Sequence, residues 1–251
     1  MPDTAILPEI RAEAERLSRL ALTEGIPMRL MGGLAIYLRS ESVRKPPFAR
    51  DYNDMDFAAS SKARSRLKTL LDGQGYVPEK LFNAIHGAQR LNYAEPSGRW
   101  TIDILIDELS MSHRLDLRGR MDGPEPTISL ADLLLTKLQI WQINRKDLGD
   151  ALCLLADCPL GKGGPDAIGL DRLASVLGSD WGFCHTAERN LDRIAELWAA
   201  EPVPDALFDV AGQVASVKAA IEAAPKTFSW KARARVGERV RWYETPEEVQ
   251  H

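Results

Sequence analysis

The character of the sequence changes after Pro124 and Pro126, and this change limits the folds that the chain can adopt. Before the two prolines, short apolar runs typical of strands alternate with helical runs and with turns rich in glycine and proline. After them, helical patterns follow one another at 130–142, 146–157, 170–177, 187–199 and 205–223. We therefore expect an α+β fold in which a mixed β-sheet flanked by helices is followed by a helical domain. The predicted domains are an α/β core at 1–120 and a helical domain at 121–251, which ends in a basic and aromatic tail.

Composition and charge argue against several classes of function. Of the 251 residues, 45% are hydrophobic, yet no apolar run is long enough to cross a bilayer. The N-terminal segment lacks the basic start and unbroken apolar stretch of a secretory signal, so we expect a cytoplasmic protein with no membrane partner. The formal charge of −4 argues against indiscriminate coating of nucleic acid. Three cysteines without a C-x-x-C pair favour buried or idle thiols over a zinc site.

Two acids, Asp54 and Asp56, lie on a predicted strand at 54–58. Because side chains alternate between the faces of a strand, both carboxylates project from one face while Met55 and Phe57 point into the core. Two adjacent carboxylates repel each other unless a cation lies between them. Such a pair is therefore either splayed into water or built to hold a metal, for which Mg²⁺ is the natural choice.

A third acid, Asp103, lies between isoleucines in a strand predicted within 99–106. If this strand lies beside the one that carries Asp54 and Asp56, the three carboxylates converge. Three carboxylates suffice for two metal ions about 3.5 to 4 Å apart, as in phosphoryl and nucleotidyl transfer.

The dipeptide Gly32-Gly33 separates a predicted strand at 27–31 from a predicted helix at 34–38. A glycine turn that opens a helix offers backbone N–H groups and the positive helix end to a polyphosphate. The alternative is an ordinary turn, just as an Asp-x-Asp pair can arise without function in a chain with 36 acidic residues.

A lysine lies on the apolar side of a predicted helix that starts at the N-cap Ser129. Lys137 falls inside the stripe formed by Leu134, Leu138 and Trp141, where an unpaired cation is costly. The ammonium group therefore extends to water, forms an internal salt bridge or meets a nucleotide phosphate. Further along, Asp147 borders the apolar face of the next predicted helix, and the segment around it also fits an exposed helix start with a pair between Lys146 and Asp150.

The C-terminal tail interleaves cations with aromatic residues. An RNA acceptor docking on this surface is one interpretation. The other, which we favour, is a solvated tail that packs its tryptophans on the helical domain. The residues concerned are Lys226, Trp230, Lys231, Arg233, Arg235, Arg239, Arg241 and Trp242.

Taken in order, Gly32-Gly33, then Asp54-Met-Asp56, then Ile-Asp103-Ile resemble the signature of the DNA polymerase β nucleotidyltransferase superfamily. Within it, Ala49-Arg-Asp-Tyr-Asn-Asp-Met-Asp56 and Asp132-Leu-Leu-Leu-Thr-Lys137-Leu, followed by Lys146-Asp-Leu-Gly-Asp150, look like the AbiEii-type branch and related bacterial nucleotidyltransferases. The resemblance covers about residues 28–157.

The resemblance implies a nucleotidyltransferase-like fold and a role for each residue singled out. The acids are catalytic, three of them bind metal, and the glycines and two basic residues bind the nucleotide. The expected catalytic residues are Asp54, Asp56, Asp103 and Asp147, of which the first three are the expected metal ligands. The expected nucleotide-binding residues are Gly32, Gly33, Arg50 and Lys137.

The function that follows is transfer of a nucleoside monophosphate from a nucleoside triphosphate, such as ATP, to an acceptor hydroxyl. The expected cofactor is a pair of Mg²⁺ ions, which Mn²⁺ can replace, and the acceptor is an RNA, a protein or a small molecule. One alternative is a toxin that modifies tRNA and is paired with an antitoxin. Another is a catalytically silent protein that binds nucleotides or serves as a scaffold.

Overall fold

The α+β architecture expected from the sequence is present in the structure, a computed structural model that describes residues 6–245. The chain divides into two compact units, each built from more than one segment. The first unit comprises Met1–Leu38, Ala49–Leu109 and Asp116–Ile128, and the second comprises Arg39–Phe48, Ser110–Leu115 and Ser129–His251. The ends of the two predicted domains, at residues 1–5 and 246–251, lie outside the described residues.

The first unit contains a five-stranded mixed sheet with the strand order β1-β2-β5-β4-β3. Strands β2 and β5 are parallel, and the other neighbouring pairs are antiparallel. The strands are β1 (Met28–Met31), β2 (Asp54–Ala59), β3 (Val77–Pro78), β4 (Arg90–Ala94) and β5 (Thr101–Ile106).

Four helices belong mainly to this unit. They are α1 (Ile6–Thr23), α2 (Gly32–Arg39), α3 (Arg64–Gly73) and α4 (Lys80–His86). Helix α1 forms because Ile10, Ala14, Leu17 and Ala21 recur at intervals of three and four, and all four side chains are fully buried. Strand β1 and helix α2 follow directly, so the predicted order of strand, glycine turn and helix is confirmed.

The two central strands have one buried and one partly exposed face, as their alternating sequences predict. On β2, Met55 and Phe57 are fully buried, whereas Asp54 is exposed. On β5, Ile102 and Ile104 are fully buried, and Asp103 between them is only partly covered. The acids of both strands therefore share the face opposite the core.

The run at 84–93 has a sequence that predicts a strand, and this prediction is wrong because the run does not form a strand throughout. Residues 84–86 end helix α4, and strand β4 begins only at Arg90. The side chain of Asn83 accepts a hydrogen bond from the backbone N–H of Asn92 at 2.7 Å and donates one to its carbonyl at 2.9 Å. These tertiary bonds fix the short helix against the strand and override the local preference for a strand.

The second unit is mainly helical, as predicted. Its helices are α5 (Leu130–Leu138), α6 (Arg145–Asp157), α7 (Leu170–Ser179), α8 (Trp181–Ala200), α9 (Val210–Ala223) and α10 (Phe228–Val236). The remaining short strands among the described residues are β6 (Glu108–Ser110), β7 (Arg114–Asp116), β8 (Leu160–Gly161) and β9 (Ile168–Gly169). The predicted N-cap is confirmed, because the Ser129 hydroxyl accepts a hydrogen bond from the N–H of Asp132 at 3.1 Å. Within residues 6–245, no helix has the length and apolar character needed to cross a membrane.

Candidate active site

The turn between β1 and α2 lies directly against the carboxylate of Asp56. Met31, the last residue of β1, is the register partner of Asp56 on β2, so the next residue passes beside that side chain. Gly32 has a φ of 69°, and a β-carbon added to it would lie 1.9 Å from Oδ2 of Asp56. Both the backbone conformation and the lack of space therefore require glycine at this position.

The second glycine of the pair approaches a cation. A β-carbon at Gly33 would lie 2.7 Å from Nη2 of Arg50 and 3.0 Å from Cε1 of Tyr52. The Arg50 guanidinium carbon lies 4.7 Å from the centre of the Tyr52 ring, within the range of a cation–π contact. The beginning of α2 thus has a carboxylate beside its first residue and a guanidinium beside its second. Sequence reasoning missed Tyr52, because a single buried tyrosine forms no motif.

The third acid lies beside the predicted pair. Strands β2 and β5 are parallel neighbours, and Asp56 is the register partner of Asp103. Register partners on adjacent strands point to the same face of a sheet, so Asp56 and Asp103 are adjacent on the face that also carries Asp54. The strands that carry the three acids, β2 and β5, therefore lie side by side, which is the condition on which the sequence predicts that their carboxylates converge.

A strong ion pair holds the Asp103 carboxylate, and sequence reasoning missed its partner, Arg90. Nε of Arg90 donates to both oxygens of Asp103, at 2.7 and 2.9 Å, and Nη2 donates to Oδ2 at 2.5 Å. The hydrogen bonds that Arg90 donates to Asp103 raise the pKa of Arg90, and the nearby Asp56 carboxylate adds to that rise. In the described part of the chain, no group of three or more histidine, cysteine, aspartate or glutamate side chains is arranged to hold a metal ion.

In the second unit, Lys137 forms an internal salt bridge. This is one of the three arrangements that the sequence allows for its ammonium group. Its Nζ lies 2.6 Å from Oδ1 of Asp147 and 2.9 Å from Oδ2 of Asp150. The side chains of Lys137, Asp147 and Asp150 are 9%, 13% and 0% exposed. The alternative of an exposed pair between Lys146 and Asp150 is wrong, because Asp150 is buried and bonded to Lys137.

The two carboxylates keep this buried lysine charged. Burial opposes the charge, but Asp150 and Asp147 outweigh it and raise the pKa of Lys137. Burial likewise opposes the charge of Asp147, and the neighbouring Lys137 lowers the pKa of that carboxyl group below its usual value. Each partner therefore depends on the other for its ionised form, which is typical of an ion pair inside a core.

The tryptophans of the C-terminal tail pack within the second unit, in agreement with the interpretation we favoured. The ring centre of Trp242 lies 4.8 Å from that of Trp141 and 6.2 Å from that of Trp181. The indole N–H of Trp230 donates to the carbonyl of Leu177 at 3.0 Å.

The three cysteines are free and buried, as expected of idle thiols. They are Cys153, Cys158 and Cys184. Burial raises the pKa of both Cys158 and Cys184 to about 11, so both thiols are protonated at neutral pH. A protonated thiol is a weak nucleophile and a weak metal ligand.

Comparisons with known proteins show a distant structural likeness. No protein-family model matches the chain, and no curated protein matches it. A crystal structure of an antigenic nucleotidyltransferase-like protein from Paracoccidioides brasiliensis matches 88% of this chain and 96% of its own, with a TM-score of 0.42 and 16% identity. The resemblance to the AbiEii-type branch stays a prediction from the sequence.

Proposed function

We propose that this chain is a nucleotidyltransferase that moves a nucleoside monophosphate from a nucleoside triphosphate to an acceptor hydroxyl. The single observation that carries the proposal is the contact between the Gly32-Gly33 turn and the side chains of Asp56 and Arg50. Four residues that are separated by up to 24 positions in the sequence meet at the start of one helix; the two glycines and Asp56 were singled out for their chemistry, and Arg50 by the family resemblance. An ordinary turn would not require a carboxylate at one glycine and a guanidinium at the next.

The start of α2 supplies what a triphosphate needs for binding. The N–H groups at a helix start point outward, and the helix dipole places partial positive charge there. Arg50 adds a full positive charge beside Gly33, and its planar guanidinium matches the geometry of phosphate oxygens. We assign Gly32, Gly33 and Arg50 to the binding of the phosphates.

The carboxylates of Asp54 and Asp56 fit one divalent cation. Both project from the same face of β2, and carboxylate oxygens are the ligands that Mg²⁺ and Mn²⁺ prefer. A bound ion would neutralise charge on the transferred phosphate. We propose one ion here in place of the predicted two on three acids, because Arg90 already donates to both oxygens of Asp103.

The reaction class follows from this arrangement. The acceptor hydroxyl attacks the α-phosphorus in line with the bond to the leaving pyrophosphate and loses its proton to the solvent, so one P–O bond forms as the other breaks. The contribution of the chain is to position the triphosphate and to balance its charge, which are the main sources of rate in such transfers. In this proposal Asp56 lies where the acids and the phosphate-binding turn meet.

The test is release of pyrophosphate from each nucleoside triphosphate in turn, with Mg²⁺ and a cell extract as the source of acceptor. We expect release with the unaltered chain and a loss of at least about 100-fold in Asp54→Asn and Asp56→Asn. Asp51→Asn is the matched control, because Asp51 is an exposed acid of the same segment outside β2, and it should keep full activity. Release that survives in Asp56→Asn would refute the assignment, and no release from any triphosphate would favour a silent protein.

A further inference from the structure

The face of the sheet that carries the acids also carries a cation. On β4, the register partner of Asp103 is Asn92, and Arg90 lies two residues before it on the same face of the sheet. The Arg90 side chain therefore reaches Asp103 diagonally across the two strands. Asp56 pairs with Asp103 from the other side, on β2. Across the three strands, the side chains therefore form a row: the carboxylates of Asp56 and Asp103, followed by the guanidinium of Arg90.

The geometry of the Arg90 pair leaves Asp103 poorly suited to bind a metal. Three hydrogen bonds of 2.5 to 2.9 Å use both oxygens of the carboxylate. Charge-assisted bonds of this bidentate type are among the strongest that side chains form, and the Asp103 side chain is only 17% exposed. A divalent ion that bound Asp103 would have to share these oxygens with the guanidinium and lie beside its positive charge, which disfavours binding there.

Charge balance leads to the same conclusion. Three clustered carboxylates carry three negative charges, which two divalent ions more than neutralise. With Arg90 in place, the charge of Asp103 is already compensated by a residue of the chain, so no second divalent ion is needed to balance it. Arg90 remains close enough to Asp56 for that carboxylate to stabilise its charge.

We infer that Arg90 takes the place of the second metal ion, so that the site holds a single divalent cation on Asp54 and Asp56 and Asp103 is not a ligand. Arg90 is in this account a positioning residue, which fixes Asp103 and supplies a permanent positive charge. The inference rests on the proposed function, because it concerns the ion of that same site.

The experiment is a titration of the full-length chain with Mn²⁺ alone, in which free and bound ions are counted by electron paramagnetic resonance. We expect one bound Mn²⁺ per chain. Asp103→Asn should keep that ion with less than about a threefold change in affinity, whereas Asp56→Asn should weaken it by about tenfold or more. Arg90→Met should gain a second bound ion, and adding Asp103→Asn to it should remove that second ion again.

The outcomes separate this inference from the function on which it rests. Two ions on the unaltered chain, or a loss in Asp103→Asn as large as in Asp56→Asn, would overturn the inference and leave the nucleotidyltransferase standing. A chain that binds no Mn²⁺ would overturn both. If Arg90→Met fails to fold, Asp103→Asn alone still decides, because asparagine has nearly the same shape as aspartate.

Discussion

The carboxylate of Asp56 lies so close to Gly32 that a β-carbon at position 32 would stand 1.9 Å from its Oδ2. This contact joins the two motifs that the sequence places 24 residues apart, and it explains why a glycine follows β1. The carboxylate cannot stay where it is if residue 32 has any side chain.

Gly32→Ala should therefore abolish most of the transfer activity. The methyl group displaces Asp56, and a shift of about 1 Å at a reacting centre costs on the order of 100-fold in rate. Alanine in the left-handed conformation should also lower the free energy of unfolding by roughly 1 to 2 kcal/mol. Steady-state kinetics and urea unfolding measure the two effects separately.

Gly75→Ala is the matched control for this change. Gly75 has a φ of 84°, but a β-carbon there would meet nothing within 4 Å. The Gly75→Ala variant should therefore have a lower free energy of unfolding but keep its transfer activity. Equal activity losses in the two variants would mean that strain alone, and not the contact with Asp56, explains the effect.

The second prediction concerns Arg50, which lies beside both Gly33 and the Tyr52 ring. Arg50→Lys keeps the charge but loses the planar fork and its stacking, so the KM for the triphosphate should rise by about tenfold while kcat changes less. The same change at Arg99, whose guanidinium carbon lies 4.4 Å from the Trp100 ring centre, should leave the kinetics unaltered. A kcat effect without a change in KM would argue against phosphate binding by Arg50.

These contacts show how far the sequence alone can lead. Alternation along β2 placed Asp54 and Asp56 on one face, because a strand has a fixed period of two. That Asp103 shares this face depended on the pairing of β5 with β2, which the sequence left as a condition. The salt bridge to Arg90 was out of reach, since it depends on the register of β4 against β5, which no local pattern encodes.

The same limit applies to the helical unit. The stripe on α5 correctly marked Lys137 as a cation on an apolar face. The choice of partner was not visible, because Asp147 and Asp150 are on a different helix and meet Lys137 only through packing. Patterns within one element predict which face is buried, and packing between elements decides what a buried charge meets.

The third prediction tests the role of this buried pair. Lys137→Met leaves two carboxylates in the core without their cation, so the free energy of unfolding should fall by about 3 to 5 kcal/mol. Lys218→Met is the control, because Lys218 pairs with Asp192 at the same 2.6 Å but the two side chains are 35% and 61% exposed. That variant should cost less than about 1 kcal/mol. A stable Lys137→Met chain with weakened nucleotide binding would instead support the predicted nucleotide contact.

The fourth prediction concerns pH and His113. Its ring stacks on Phe183 with centres 5.3 Å apart, and its Nε2 lies 2.8 Å from the Thr186 hydroxyl. Burial lowers the pKa of His113 from 6.5 to about 4, and Asp180 offsets only part of this effect. At pH values between about 4 and 6.5, His113 binds a proton in the unfolded chain but not in the folded chain. The free energy of unfolding therefore falls as the pH falls through this range.

The size of the effect is roughly 3 kcal/mol between pH 7 and pH 4. His113→Gln cannot titrate, so the difference between its unfolding free energy and that of the unaltered chain should depend on pH by this amount. Urea unfolding of both chains at several pH values measures the difference. A constant difference would show that His113 is protonated as readily in the folded chain as in the unfolded one.

The most direct test of the account follows the fate of individual phosphates. The unaltered chain and Asp56→Asn are incubated with Mg²⁺, a cell extract and a nucleoside triphosphate labelled at either the α- or the γ-phosphate. With the unaltered chain, the α label should enter the acceptor fraction and the γ label should leave as pyrophosphate. With Asp56→Asn, neither transfer of the α label nor release of the γ label should occur. Transfer of the γ label to the acceptor, or equal α labelling by both chains, would contradict the account.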